Sequence, residues 1–358
     1  MPSTSPVRLA INGYGRIGRC FLRALHEAGL TEEFRIAAIN EPADLASMAY
    51  LTRFDSTHGR FAGNVTVDEA SGAILIDGRA ITIRHAQTPE AVDWRALDVD
   101  LVIECSGRYG SRAELSRFLA AGAPRLLVSH PANSAADVDA TVVYGVNQQD
   151  LTGHERIVSG ASCTTNAVVP ILDLLDRAWG VEEALLTTLH SVMNDQPLID
   201  GYHHADLRRT RSAMQSIIPV STGLARGVER LLPRLAGKVR AKAIRVPTTN
   251  VSAIDLTVAL ARPVDADALR AALVMATATD GPFANLVAWS EETHASIDFN
   301  HDPHSAILDG SQIHLSGSRL VNLLIWFDNE WGFANRMLDI LRHWRFRWQH
   351  ARRDRRMA

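Results

Sequence analysis

A glycine turn lodged between an apolar strand and an amphipathic run leaves this chain few ways to fold. Val7–Asn12 is apolar and reads as a strand, and GYGRIG follows at residues 13–18. Ile17, Cys20, Phe21, Ala24, Leu25 and Ala28 then recur at helical spacing until Gly29 stops the run. Phe34–Asn40 reads as the next strand, and Glu41 ends it. Strand, glycine turn, helix, strand and acid in that order predict a parallel α/β sheet that holds a dinucleotide. Gly13 permits the tight turn, Gly15 lets the backbone approach a pyrophosphate, and Gly18 lets helix and strand pack closely. The pyrophosphate is expected on the helix N-terminus. Glu41 is expected to accept hydrogen bonds from the adenosine ribose diol, and its charge repels a 2′-phosphate. The pattern therefore points to NAD rather than NADP.

Strand-like and helix-like segments alternate through the rest of the first half. Residues 99–105 form an apolar run with one Glu, as a strand buried on both faces does, and 126–129 and 141–146 look similar. Cys105 falls in such a strand and Cys20 on the apolar helix face, so both read as structural. Ser106-Gly107 and Ser129-His130-Pro131 fall just past strand ends, where open α/β sheets bind ligands and where ordinary polar loops also occur.

The second half carries a different signal. Cys163 sits in SCTTN (162–166), just before an apolar run, Ala167–Trp179, and the helix reads from Cys163 to about Trp179 with Gly180 as its stop. A thiol there meets unpaired N–H groups and the positive end of the helix dipole, which favour thiolate, the nucleophilic form. The same N–H groups suit an oxyanion formed by attack on a carbonyl. Residues 183–190 read as a strand. A helix of about 15 residues and a strand of about 7 both span roughly 22–23 Å, so a strand returning along the helix brings His190 back to the level of Cys163. His190 is then placed to take a proton during attack and hydride departure.

Three further elements suit a phosphate: the basic cluster DLRRTR (206–211), the hydroxyl-bearing PVSTG (219–223) before a second helical run, and RVPT (245–248) opening a strand-like stretch through Asp255. Asn329 follows the apolar strand Leu320–Phe327 and either bonds an amide such as a nicotinamide carboxamide or caps the last helix. His203-His204 and His301-x-x-His304 lack the Cys cluster or His-Glu-x-x-His pattern of a zinc site, so no metal is expected.

Composition narrows the setting. A chain of 358 residues suggests two domains. A net charge of -3 argues for neither nucleic acid nor an anionic membrane, and three cysteines make no disulfide framework but fit a reducing compartment. Residues 1–8 hold no secretory apolar stretch and no run reaches a membrane span, so a cytoplasmic location is expected. The tail departs from this picture: RHWRFRWQH (342–350) followed by Arg352, Arg353, Arg355 and Arg356 interleaves arginines with aromatics. That is either a helix end packed by Trp344 and Trp348 or a surface for nucleic acid or another anion. Oxidation of a low-pKa Cys163 is a further reading, without a resolving cysteine nearby in sequence.

NGYGRIGR (12–19), ASCTTN (161–166), RVPT (245–248) and DNEWG (328–332) together resemble the glyceraldehyde-3-phosphate dehydrogenase family, over about residues 7–341. AINE (38–41), SHP (129–131), VYGVN (143–147), HSVMNDQ (190–196) and FNHDPHS (299–305) resemble its erythrose-4-phosphate branch. The resemblance implies a Rossmann NAD-binding domain over residues 1–162 and an α+β catalytic domain with a largely antiparallel sheet over 163–330. It implies a helix at 331–350 that returns to the first domain, ahead of the basic tail 351–358, and a homotetramer. It implies Cys163 as nucleophile and His190 as base; Ser162, Thr164, Arg209, Thr222, Gly223 and Arg245 at substrate positions; and Arg16, Ile17, Glu41, Ser129 and Asn329 at cofactor positions. Gln87 replaces a basic residue at another cofactor-side position.

Ala167 stands where many relatives carry a second Cys, and Phe333 where many carry Tyr. Met193 stands where triose-phosphate enzymes have a Thr phosphate donor, which favours erythrose 4-phosphate as substrate, with water as acyl acceptor. The resemblance also implies a product that feeds pyridoxal phosphate synthesis. The alternative is a phosphorylating enzyme acting on glyceraldehyde 3-phosphate.

Overall fold

The computed structural model describes residues 5–203 and 206–357, with side chains as far as Ala351. The chain divides into two compact units, Met1–Ser162 with Ala334–Ala358, and Cys163–Phe333.

The first unit opens as its sequence order predicts: β1 (Val7–Asn12), α1 (Arg16–Glu27), β2 (Phe34–Asn40) and α2 (Leu45–Arg53). A small ribbon, β3 (Phe54–Asp55) and β4 (Gly59–Arg60), leads to β5 (Val65–Asp68), β6 (Ala73–Ile76) and β7 (Arg79–Arg84). Then come β8 (Leu101–Glu104), α3 (Arg112–Ala120), β9 (Leu126–Val128), β10 (Ala140–Thr141) and β11 (Ile157–Ser159). Apart from the ribbon, the strands form a nine-stranded sheet in the order β10-β11-β9-β8-β1-β2-β7-β6-β5. It is parallel from β10 to β7 and antiparallel at the β6 and β5 edge. Leu101, Val102 and Ile103 are wholly buried, as a strand covered on both faces must be.

The strand expected over 141–146 stops at Thr141. Val142 and Val143 are buried, but Asn147 turns the chain there: its Oδ1 accepts from Val143 N (2.8 Å) and its Nδ2 donates to Thr141 O (2.9 Å). Apolar content marked the core at this point, not a strand.

The last helix, α7 (Trp331–Met357), runs past the end expected at residue 350, and from Ala334 onward it belongs to the first unit. Trp344 and Trp348 are buried, with ring centroids 5.3 Å apart and edge-on, and the Arg125 guanidinium lies 4.6 Å over the Trp348 ring. Arg345 pairs with Glu33 (2.8 Å), and Arg347 Nε donates to Leu151 O (2.6 Å). A Cβ on Gly153 would lie 2.6 Å from the Arg347 carbonyl, so α7 needs a glycine under it. Residues 342–350 are thus a packed helix end, the first of the two readings. The side chains of Arg352, Arg353, Arg355 and Arg356 lie outside the described residues.

In the second unit α4 (Cys163–Trp179) precedes β12 (Val181–His190), β13 (Ile218–Val220), α5 (Leu224–Leu231), β14 (Val239–Arg245) and β15 (Ser252–Leu260). α6 (Ala266–Thr277), β16 (Val287–Ser290), β17 (Ala306–Ser316) and β18 (Leu320–Phe327) follow. The seven-stranded sheet runs β13-β14-β12-β15-β18-β17-β16, and only the β12–β14 and β16–β17 pairs are parallel. The stretch expected as one strand through Asp255 is two elements. β14 ends at Arg245, Pro247 has no N–H for a ladder, and Val251 takes φ 63° before β15 begins at Ser252. Among the described residues no helix is long and apolar enough to cross a membrane.

Candidate active site

α4 carries the chain away from Cys163 over 17 residues and β12 returns over 10, packed against it. The return places His190 Nε2 3.9 Å from Cys163 Sγ, with Thr164 Oγ1 3.8 Å from the sulfur. Burial pushes the Cys163 thiol up, against the pull of the Thr164 hydroxyl, the N–H groups of Thr164 and Cys163, and the charge of Arg245. This corrects the expectation of a lowered thiol: the start of α4 does not outweigh the loss of water around the sulfur. His190 moves the other way, pushed down to about 4 by burial and then by the Arg245 charge. Burial thus opposes the charged form of each partner.

Sheet register explains the third member. His190 of β12 is the register partner of Arg245 on β14, which is in turn the partner of Ile218 on β13. Arg245 Nη1 lies 2.6 Å from His190 Nδ1, and that nitrogen is also 2.8 Å from the Ser191 carbonyl. Arg209 is held by Asp195 (2.8 Å) and lies 3.9 Å from Asp206; the charges of Asp195 and Arg209 both reach Arg245. Thr222 and Gly223 are exposed at the entry to α5, where Thr222 Oγ1 accepts from Leu224 N (3.1 Å). A Cβ on Gly227 would sit 3.2 Å from Thr165 Oγ1, so α5 lies close against α4. Met193, three residues past His190, is 45% exposed and offers no hydrogen-bond donor in its side chain.

Asn329 is buried just past β18, and its Oδ1 accepts from Ser191 Oγ (3.0 Å) and Ser252 Oγ (2.8 Å). With its oxygen occupied by two hydroxyls, the amide keeps Nδ2 as its donor. The helix-cap alternative goes to its neighbour, because Asp328 Oδ1 accepts from Glu330 N (2.9 Å) and Trp331 N (2.8 Å). Ser191 and Ser252 carried no signal in the sequence, since their task exists only once β12, β15 and β18 lie side by side.

The glycine turn of the first unit is shaped as a cradle. A Cβ on Gly13, at φ 87°, would fall 2.6 Å from Ser106 N, and one on Gly18 would fall 2.3 Å from Gly13 O. A Cβ on Gly15 would meet nothing within 4 Å, so the backbone there faces open space. α1 begins without a side-chain cap, Ile17 is half-buried in its first turn, and Arg16 is held bidentately by Asp55 (2.5 and 3.1 Å). Burial acts to raise Asp55, but Arg16 and the N–H groups of His58 and Thr57 outweigh it and hold the carboxyl well below the usual range. Glu41 Oε2 accepts from Tyr14 N (2.7 Å), which fixes the acid beside the turn. Ser129 N donates to Glu104 O (2.9 Å) past the end of β9, and Gln87 is exposed beyond β7. Open backbone over Gly15, uncapped N–H groups and a fixed acid fit NAD, which these residues would hold through its pyrophosphate and adenosine ribose.

One buried group under the turn had no sequence signal. Asn40 Nδ2 donates to Asn12 Oδ1 (2.8 Å), Asn12 Nδ2 to Glu104 Oε2 (2.5 Å), and Ser106 N to Glu104 Oε1 (2.7 Å). Burial outweighs these donors and pushes Glu104 up to about 7. Ser162, half-buried, closes the first unit and is bonded directly to Cys163. His301 stacks on Trp331 at 3.7 Å and His304 pairs with Asp302 (2.8 Å); His204 lies outside the described residues.

A thiol facing an imidazole in one unit and a dinucleotide cradle in the other are the parts of an NAD-dependent oxidoreductase. Family models agree: residues 7–112 match the NAD binding domain of glyceraldehyde 3-phosphate dehydrogenase, and residues 162–329 match its C-terminal domain. The chain belongs to the glyceraldehyde 3-phosphate dehydrogenase family, acts on a phosphorylated sugar aldehyde and uses NAD as cofactor.

Proposed function

We propose that the protein oxidises D-erythrose 4-phosphate to 4-phosphoerythronate through a thioester on Cys163, with water as the acyl acceptor. The observation that carries the covalent scheme is the 3.9 Å approach of the Cys163 sulfur to His190 Nε2. Cys163 Sγ attacks the aldehyde carbon as the thiol proton passes by way of solvent to the carbonyl oxygen, and the N–H groups and hydroxyl at Thr164 steady the negative charge on that oxygen until it becomes the hydroxyl of the hemithioacetal. His190 Nε2 takes the hydroxyl proton as the carbonyl re-forms. When bound, NAD supplies the acceptor for the hydride lost from that carbon. The thioester left on Cys163 is then open to a water whose proton His190 removes, which releases the acid and restores the thiol.

Asn329 Nδ2 is the donor for the nicotinamide carboxamide. Arg245, Arg209, Thr222, Gly223 and Ser162 receive the phosphorylated substrate. Glu41, Arg16, Ile17, Ser129 and Gln87 flank the cofactor, and the acid favours NAD over NADP. Met193 favours the four-carbon sugar, because a thioether cannot donate the hydrogen bond that a hydroxyl gives a triose phosphate. Exposed Leu198, Ile199, Tyr202 and Leu207 in the segment after His190 support a homotetramer. Three free cysteines fit a cytoplasmic setting.

The test is product identification after incubation with NAD and erythrose 4-phosphate, in parallel with glyceraldehyde 3-phosphate, each with and without inorganic phosphate. 4-Phosphoerythronate formed without phosphate is the expected result; activity on the triose alone, strictly dependent on phosphate, would overturn the choice of substrate.

A further inference from the structure

Arg226 stands in the first turn of α5 with nothing to balance its charge. It is exposed, and among the described residues no ion pair or hydrogen bond engages its guanidinium. Long side chains on a helix lean toward its N-terminus, and this one does. Its Nη2 lies 3.7 Å from the place a Cβ on Gly223 would take, and apart from the residues on either side of Gly223 no other atom comes within 4 Å of that place. The guanidinium therefore folds back to the entry of α5. There Thr222 Oγ1 accepts from Leu224 N (3.1 Å), so the hydroxyl keeps its proton as a donor. The one acid of α5, Glu229, is engaged by Gly237 N (3.0 Å). The neighbouring turn belongs to the nucleophile. A Cβ on Gly227 would sit 3.2 Å from Thr165 Oγ1, so the start of α5 lies beside the first turn of α4, which Cys163 opens.

The other two arginines of the site already have partners. Arg209 pairs with Asp195 (2.8 Å) and lies 3.9 Å from Asp206, so a phosphoryl group brought to it also meets two carboxylates. Arg245 Nη1 lies 2.6 Å from His190 Nδ1 and 3.4 Å from the Ser191 carbonyl. A dianion drawn to either must compete with those contacts, and at Arg226 there are none to break. We propose that Arg226 is a specificity-determining residue: its guanidinium binds the phosphoryl group of the aldehyde and sets the preference for the phosphorylated sugar over the free one. A planar fork of N–H donors matches two phosphoryl oxygens in a way an ammonium does not. Met193 gives no donor after β12, so the α5 side carries the larger share of the phosphoryl group. The role rests on the proposed reading in which Cys163 is the nucleophile and Thr222 and Gly223 receive the substrate. The phosphoryl group is not the reacting centre, so its contact with Arg226 is equally strong before and during reaction and belongs to KM rather than kcat.

The experiment compares the full chain, with NAD, against R226Q, R226K and R226E. Each phosphorylated aldehyde is assayed beside its free sugar: erythrose 4-phosphate with erythrose, and glyceraldehyde 3-phosphate with glyceraldehyde, in the buffers of the product assay above. In R226Q the KM for the phosphorylated aldehyde is expected to rise roughly 10- to 100-fold, as loss of a charge-assisted hydrogen bond gives, with kcat held within about twofold. The kcat/KM for the free sugar is expected to stay unchanged. R226K is expected to fall between the unaltered protein and R226Q, and R226E to lie beyond R226Q. A general disturbance of the fold or the thiol would injure both sugars alike. Titration calorimetry with erythritol 4-phosphate and glycerol 3-phosphate, which carry the phosphoryl group and no aldehyde, separates this role from the choice of substrate and acyl acceptor. Whichever of the two binds the unaltered chain is expected to bind R226Q weaker by the same factor. A KM that R226Q does not raise, equal losses on phosphorylated and free sugars, a change confined to kcat, or failure of both phosphates to bind the unaltered chain each overturns the proposal.

Discussion

The dinucleotide cradle and the thiol site are made by opposite means. The cradle is backbone: its glycines, helix start and acid come from one stretch of about 30 residues, and space for a methyl group decides whether it exists. The thiol site is side chains: Cys163 and His190 are 27 positions apart, His190 and Arg245 are 55 apart, and Ser191 and Asn329 are 138 apart. Shape governs the first and protonation the second, so different substitutions should injure them.

The largest effect separating the two belongs to C163S. It is expected to lower NAD reduction by erythrose 4-phosphate by about 10³-fold or more while NAD still binds with unchanged affinity. Near-full turnover by the serine protein would sink the covalent scheme. Next comes the shape of the cradle. G13A forces a Cβ to 2.6 Å from Ser106 N at φ 87° and is expected to cost about 2–4 kcal/mol of stability in chemical denaturation. G15A places its Cβ in open space and is expected to keep that stability and lose NAD affinity instead. Equal losses of stability in the two variants would erase the distinction.

Glu104 is where protonation enters the cradle. Its folded pKa of about 7 lies above the ordinary 4.5, so the folded state binds the extra proton and stability should fall as pH rises from about 4.5 to about 7. The loss is of order 3 kcal/mol, and E104Q is expected to remove it, giving denaturation midpoints flatter over that window than those of the unaltered protein. A steeper or unchanged profile would show that the carboxyl stays ionised. The smallest effect is S252A, which removes one of two hydroxyls on Asn329 Oδ1. It is expected to weaken NAD by about 1 kcal/mol, roughly fivefold in a fluorescence titration, and to leave the Cys163 alkylation rate unchanged.

What the sequence revealed follows the same division. β1, β2 and β18 appear at the limits read from residue pattern, because mostly apolar runs flanked by Gly or polar residues leave little choice. α4 and the return of β12 were legible because helix rise and strand rise are constants. The end of β14 at Arg245 and the turn at Asn147 were not, since each depends on one side chain or one missing N–H within an apolar stretch. The thiol was misjudged for a related reason: a helix start is visible in sequence, but the burial that opposes it is a tertiary quantity. Register hid Ser191, Ser252 and the contact of Arg245 with His190, because no spacing in the chain says which strands become neighbours.

The first unit is closed by the end of the chain. Residues 334–358 belong to it, and Trp344 and Trp348 are part of its core. During synthesis the opening 162 residues leave the ribosome without those two indoles and must wait, with an unsealed apolar face, until every residue of the second unit has been made.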